Sequence, residues 1–146
     1  MRIVPLLSIL AILSFHPPAI SQTLLDNSSP PNKLGVFIDG CERWDGGCDL
    51  DYIRTEITAV DFYRDNQRAD VFLLINRNRS GGGGRQYQLI FIGQQNIHAG
   101  RSDTLYVDNR QTDTDFEVRE KVTRYIKLGL APYVAKTKAG EEIEIN

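Results

Sequence analysis

Apolar residues in the first half of the chain follow two different periods. Residues 34–39 form a short run of branched and aromatic side chains, which predicts a buried first strand. Beyond Asp49 the apolar residues return at spacings of three and four, which predicts a helix that Asp49 caps and that ends near Asn66. This stripe consists of Leu50, Ile53, Ile57 and Val60.

The middle of the chain carries two further apolar runs. Residues 69–76 are apolar almost throughout, which is typical of a central strand covered on both faces. Residues 85–93 alternate as a strand does, so the two runs predict a β-hairpin around the glycine-rich turn at residues 78–84. A fourth strand is expected at residues 104–107.

A second helix is predicted to begin after Thr114. Thr114 and Glu117 have the spacing of a capping box, in which each side chain satisfies a backbone donor of the other residue. Gly129 is the expected C-cap, and Pro132 is expected to prevent continuation. The core-facing stripe is Val118, Val122, Tyr125 and Ile126. The tail from Ala139 alternates glutamate and isoleucine near its end, as a short edge strand would.

This order of elements, β-α-β-β-β-α, predicts an α+β fold. A chain that begins with strand, helix and strand favours parallel pairing through a right-handed crossover, so the sheet is expected to be mixed, with four to five strands. Two helices are enough to cover one face of such a sheet, which gives a two-layer sandwich.

The first residues have the pattern of a secretory signal peptide. Arg2 supplies a positive start, residues 3–15 are apolar, and Ala19 and Ser21 are small residues at the expected cleavage positions. The apolar stretch is shorter than the roughly 20 residues that span a bilayer, so no transmembrane segment is expected in the mature chain, which we expect to be periplasmic. The predicted organisation is a signal peptide (1–21), a flexible linker (22–33), one α/β domain (34–135) and a tail (136–146).

The composition argues against a nucleic-acid partner. The formal net charge is −2, whereas a protein that binds nucleic acid needs a basic face to neutralise phosphates.

Cys41 and Cys48 are the only cysteines. Because export places them in an oxidising compartment, a disulfide is expected, and closing so short a loop would add about 2.5 kcal/mol to the free energy of unfolding. The competing interpretation is a redox-active pair, but the spacing is C-x6-C rather than C-x-x-C.

Four aspartates near the cysteines leave two interpretations open: Asp39, Asp45, Asp49 and Asp51. They could hold a divalent cation, which would suit a small secreted metal-dependent hydrolase that uses carboxylates near Asp39 and Asp49. In the other interpretation Asp49 caps the helix and the remaining aspartates lie in solvent, so no metal or other cofactor is expected.

Three arginines and one tryptophan are the candidate binding residues. Arg77, Arg79 and Arg85 bracket the glycine-rich turn and could bind an acidic polymer or lipid head group, or simply protect a solvated hairpin edge. Trp44 lies in the cysteine loop, where it could anchor a partner or cover the end of the core. His98 is the only histidine after the signal peptide and is expected in an exposed loop.

Several of these stretches resemble known envelope proteins. The run ADVFLLINRNRSGGGGRQYQLIFIG, followed by TLYV and a helix ending KLGLAPYV, resembles the N-terminal α/β domain of TolB-like periplasmic proteins. The segments CDLDYIRTEI and TDTDFEVREKV are similar to the soluble N-terminal domain of uncharacterised bacterial envelope proteins that carry an outer-membrane β-barrel. The resemblance covers about residues 34–135 and implies a fold and a compartment, because its motifs are structural. The sequence includes neither the TolB propeller nor a barrel, so we expect a stand-alone domain or a shortened form of a longer protein.

The leading hypothesis is therefore a non-enzymatic periplasmic or cell-envelope interaction domain. Its expected partner is an envelope protein or an anionic envelope component. The alternative is the small metal-dependent hydrolase, so an enzymatic role is left open.

Overall fold

The computed structural model describes residues 32–41, 46–95 and 98–141, and these form an α+β fold. The predicted mixed sheet with two main helices is confirmed. The elements are β1 (Leu34–Asp39), α1 (Leu50–Glu56), β2 (Val60–Phe62), a 3-10 turn (Asn66–Arg68), β3 (Val71–Arg79), β4 (Arg85–Gly93), β5 (Ser102–Asn109), α2 (Asp115–Val134) and α3 (Lys138–Glu141). The predicted signal peptide and nearly all of the linker lie outside the described residues.

The five strands form one sheet in the order β2-β1-β3-β4-β5. β1 pairs in parallel with both β2 and β3, as its crossover through α1 requires, whereas β3, β4 and β5 are antiparallel. The predicted hairpin of β3 and β4 is confirmed over its full length, from Val71 opposite Gly93 to Arg79 opposite Arg85.

The core lies between one face of this sheet and the helix layer. Alternate residues of each strand point into it, and Ile53 of α1 meets the buried stripe of α2 there. The two helices are joined at the surface by an ion pair of 3.1 Å between Glu56 and Lys127. Completely buried side chains include Leu34, Val36, Leu73, Leu89, Phe91, Val118, Val122 and Ile126.

Helix α1 ends ten residues before the predicted end near Asn66, at Glu56. The chain leaves the helix at Ile57, whose φ of −115° is not helical, and Val60 belongs to strand β2 rather than to the helix stripe. Thr55, Ile57, Thr58 and Val60 are all β-branched, and such side chains lose rotamer freedom in a helix. The prediction was wrong because spacings of three and four also fit a short helix followed by a strand.

Helix α2 continues through both residues that were expected to end it. Its capping box at Thr114 and Glu117 is confirmed. Gly129, however, lies inside the helix, and Pro132 occupies its last turn. A proline there removes only one backbone hydrogen bond, and the helix ends soon afterwards at Val134.

The tail begins as a helix rather than as a strand. Residues Lys138–Glu141 form α3, whose Ala139 N–H donates to the carbonyl of Asn32 at 3.0 Å. The alternating residues that suggested an edge strand, 142–146, lie outside the described residues.

Strand β3 is central, as predicted, but the described helices cover only one of its faces. Val71, Leu73 and Ile75 are buried against the helices, whereas Phe72 and Leu74 on the other face are partly exposed. The prediction of a strand covered on both faces is therefore wrong for the described part of the chain.

Candidate functional site

The predicted disulfide is present and fixes the connection between β1 and α1. Cys41 and Cys48 are joined by an S–S bond of 2.05 Å, and Cys48 is buried in the core. The four residues between Cys41 and Gly46, including Trp44 and Asp45, lie outside the described residues. Gly47, on the described side of the loop, packs so closely that an added Cβ would lie 2.2 Å from the hydroxyl of Tyr87. The described end of the disulfide loop, at Gly47, therefore contacts strand β4 at Tyr87.

Asp49 is committed to structural contacts. Its carboxylate accepts hydrogen bonds from the backbone N–H groups of Asp51 and Tyr52, both at 3.1 Å, and so caps α1 as predicted. Its second oxygen accepts from Arg119 Nη1 of α2 at 3.1 Å. The backbone bond from Tyr52, assisted by Arg119, lowers the pKa of Asp49 below its ordinary value. Asp49 thus joins α1 to α2 as an ionised carboxylate.

The other described aspartates of the proposed cation site do not join Asp49. Asp39 turns back to accept a hydrogen bond from the N–H of Gly40 at 2.8 Å, and Asp51 faces Arg54 at 3.5 Å. Among the residues that the structure describes, no group of three His, Cys, Asp or Glu side chains is placed to hold a metal ion.

The three predicted arginines are brought to one place by the register of the hairpin. Arg79 lies directly opposite Arg85, and Arg77 is two residues along β3 on the same face. Together with Gly83, Gly84 and Gln111 they line a pocket of about 420 Å³, which we call the arginine pocket. Arg77 and Arg79 are exposed and Arg85 is partly buried, so the pocket opens to solvent with positive charge on its walls.

Asp115 connects the arginine pocket to the disulfide loop. Arg85 forms an ion pair of 2.9 Å with the Asp115 carboxylate at the start of α2. Gly46, on the other side, packs so tightly against Asp115 that an added Cβ would lie 2.4 Å from its carboxyl carbon. The arginine pocket and Gly46, at the described end of the disulfide loop, are thus neighbours at one end of the molecule.

Residues from the turn between β5 and α2 also belong to this end, and sequence reasoning missed them. Gln111 lines the arginine pocket, and Arg110 lines an adjacent pocket beside Ser80 and Asp108. In an antiparallel meander, the turn after β5 lies at the same end of the sheet as the turn before β4. Applying this rule to the predicted strands would have found them.

His98 is buried, and the prediction of an exposed loop residue was wrong. Its side chain has no exposed surface, its ring lies 5.5 Å from that of Tyr133, and neither ring nitrogen has a hydrogen-bond partner among the described residues. Burial lowers the pKa of His98; the negative charge of Asp70 opposes this shift, and Lys136 and Arg101 add to it. His98 is therefore a neutral core side chain at neutral pH.

A polar network holds the end of α2 next to His98. The hydroxyl of Tyr133 donates to the carboxylate of Asp103 at 2.9 Å, and Arg101 Nε pairs with the same carboxylate at 2.7 Å. Burial, together with the bond to Asp103, raises the pKa of Tyr133 to about 12, so its hydroxyl remains a donor. The network lies at the opposite end of β4 from the arginine pocket and stabilises the packing of α2 on the sheet.

Comparison with protein-family models, with curated proteins and with solved structures finds no match for this chain. The resemblance to TolB-like proteins therefore stays a prediction. None of the helices among the described residues has the length and apolar content that crossing a bilayer requires.

Proposed function

We propose that the chain is an exported, non-enzymatic interaction domain of the cell envelope, and that it binds an anionic component at the arginine pocket. The observation that carries the proposal is the contact of Asp115 with both Arg85 and Gly46, because it places the arginine pocket beside the described end of the disulfide loop. The pattern of a signal peptide and the TolB-like pattern in the sequence support the compartment.

The charges in the pocket favour an anionic ligand. Arg79 and Arg85 face each other across the hairpin, and like charges in this position destabilise a strand pair. Asp115 compensates Arg85, but Arg79 forms no ion pair with any residue that the structure describes. A bound anion would offset this repulsion, and guanidinium groups suit phosphate and carboxylate because they offer two parallel N–H donors.

The experiment is a pulldown from envelope extracts with the wild-type protein and two charge-reversal variants. Arg79→Glu changes the pocket, whereas Arg124→Glu makes the same change at an exposed position of α2 outside it. We expect Arg79→Glu to lose the captured component and Arg124→Glu to retain it. Salt should weaken capture by the wild type, since exposed charges are screened. Equal capture by all three proteins, or capture of nothing specific by any of them, would contradict the proposal.

The alternative, a metal-dependent hydrolase, has less support because its central carboxylate is already in use. Asp49 caps α1 and pairs with Arg119, so a cation there would have to displace both contacts. Calorimetric titration with calcium, magnesium, manganese and zinc tests this directly. Heat of binding that Asp49→Asn abolishes would revive the hydrolase, and we expect none.

A further inference from the structure

The arginine pocket continues into a second pocket. This neighbour has a volume of about 380 Å³, and the two pockets share Gly84 and Gln111 as lining residues. We call the second one the turn pocket and the two together the polar cleft. The turn pocket is also lined by Ser80, Asp108, Asn109, Arg110 and Lys121. Because the two pockets share part of their walls, one ligand can extend across both.

The polar cleft has no apolar wall in the described part of the chain. Apart from glycine, every described residue that lines it carries a charge, an amide or a hydroxyl group. Most ligand pockets are instead lined mainly by apolar and aromatic side chains. A lipid chain would find no apolar contact here, and a nucleobase would find no aromatic ring on which to stack. The cleft therefore suits a ligand that is polar along its whole length.

Positive charge is in excess among these lining residues. Asp108 is the only carboxylate among those described, whereas five lining side chains are cationic: Arg77, Arg79, Arg85, Arg110 and Lys121. Neither Arg79, Arg110 nor Lys121 forms an ion pair with a described residue, and the Lys121 ammonium donates to the backbone carbonyl of Asp108. A cleft lined by one sign of charge attracts ligands of the other sign, so part of the ligand should be anionic.

The turn pocket also holds an acceptor that lacks a donor. Asn109 is only 5% exposed, and its Oδ1 has no hydrogen-bond partner among the described residues. Its Nδ2, in contrast, donates to the carbonyl of Val107 at 3.3 Å. A buried acceptor without a partner is destabilising, so a ligand that brings a hydroxyl donor to Asn109 would remove an existing penalty. A simple carboxylate brings no such donor.

We infer that the ligand of the polar cleft is an anionic saccharide, with its carboxylate or phosphate group in the arginine pocket and its hydroxyl groups in the turn pocket. The inference rests on the proposed function, since it assigns the chemical class of the anionic component. Hydroxyl groups both donate and accept hydrogen bonds, so they pair with an acceptor such as Asn109 and with a donor such as Arg110. A saccharide therefore meets both the charge and the unpaired acceptor of the cleft.

The test is a titration of the purified protein with small probes, followed by the amide NMR signals of residues 77–85 and 108–111. Glucuronate and glucose-6-phosphate carry both an anionic group and hydroxyl groups. Glucose carries only the hydroxyl groups, and cyclohexanecarboxylate carries only the anionic group. We expect both anionic sugars to bind at least about tenfold more tightly than either of the other probes, because only they satisfy the arginines and Asn109 together.

Variants of the turn pocket test the role of the hydroxyl groups. Asn109→Leu removes the unpaired acceptor, so it should weaken glucuronate binding about fivefold and leave cyclohexanecarboxylate binding unchanged. The same variant should be at least as stable as the wild type in urea unfolding, because it no longer buries an unpaired oxygen. Ser80→Ala provides a second variant at an exposed position and should also weaken glucuronate, whereas Ser102→Ala, exposed at the far end of β5, should not. Circular dichroism establishes that the variants fold.

Arg79→Glu separates the failure of this inference from the failure of the proposed function. If cyclohexanecarboxylate binds as tightly as glucuronate and Arg79→Glu abolishes both, the anion site stands and the saccharide is wrong. If Arg79→Glu leaves the binding of every probe unchanged, or if no probe binds, the proposed function fails as well. Unchanged glucuronate affinity in both Asn109→Leu and Ser80→Ala also overturns the inference. Tighter binding of the acetylated and amidated peptide Asp-Asp-Asp than of either sugar overturns it in favour of an acidic peptide.

Discussion

Replacement of Gly129 by alanine should destabilise the protein, although alanine is the better helix former. Gly129 lies inside α2, where alanine normally adds up to about 1 kcal/mol to the free energy of unfolding. An added Cβ would lie 2.1 Å from Cζ and 2.3 Å from Cε2 of Phe91. Carbon atoms that are not bonded prefer a separation of about 3.5–4.0 Å, so the ring or the helix must move.

The surroundings of Phe91 leave little room for that movement. The ring has no exposed surface, packs beside Tyr133 with centroids 6.5 Å apart, and lies opposite Leu73 in the sheet. Overpacking of a core costs about 1–3 kcal/mol, and a contact this short belongs at the upper end. After subtraction of the gain in helix propensity, we expect Gly129→Ala to lower the free energy of unfolding by about 1–2 kcal/mol.

Urea unfolding measures this effect, with two controls. Ala131→Gly makes the reverse exchange at an exposed position of the same helix and should cost about 1 kcal/mol through propensity alone. Phe91→Leu removes part of the ring, so Gly129→Ala should be neutral or stabilising in that background. If Gly129→Ala instead stabilises the wild-type protein by the propensity gain, the close approach of α2 to Phe91 is not a rigid feature and the reasoning fails.

Three further predictions concern burial, capping and the disulfide. Because the pKa of His98 is lowered in the folded state, its contribution to stability is present above the unfolded pKa of about 6.5 and is lost as the pH falls from there towards the folded pKa. The loss in the free energy of unfolding is at most about 1.4 kcal/mol per pH unit. Urea unfolding at several pH values should show this loss of stability, and His98→Phe should reduce it. Asp49→Ala removes the cap of α1 and the partner of Arg119, so it should cost about 1–2 kcal/mol, whereas a loss below 0.5 kcal/mol would show that the cap is dispensable. Replacing both Cys41 and Cys48 by serine should lower the free energy of unfolding by about 2.5 kcal/mol and leave the far-ultraviolet circular dichroism spectrum unchanged; an equally stable variant would contradict this value.

Most strands were predictable because their signals are local. The run of β1, the alternation of β4 and the turn between β3 and β4 each depend on a few consecutive residues, and the structure places these elements where the pattern predicts them. The capping box of Thr114 and Glu117 is equally local. These features needed no knowledge of what packs against them.

The errors concern features that tertiary contacts decide. Gly129 looks like a helix end in isolation, but it lies inside α2 because only a residue without a side chain allows the helix to approach Phe91. His98 looks like a polar loop residue, but its ring packs beside that of Tyr133 and has no exposed surface. The spacing of Val60 fits a residue of the α1 stripe as well as it fits a residue of a strand. Only its pairing with Leu34 shows that Val60 belongs to β2.

The candidate site combines both kinds of feature. That Arg77, Arg79 and Arg85 bracket one turn is visible in the sequence, and the hairpin register, with Arg79 opposite Arg85, follows from that turn. Asp115 pairs with Arg85 and packs against Gly46 because of the way α2 returns across the sheet, 30 residues after Arg85, and no local sequence pattern encodes these contacts.

Substitution of Asp115 therefore distinguishes a functional pocket from a merely solvated hairpin edge. If the arginines only protect the edge, Asp115→Asn should change stability slightly and capture of an anionic partner not at all. If they form a binding pocket, the same substitution removes the competing carboxylate and should strengthen capture.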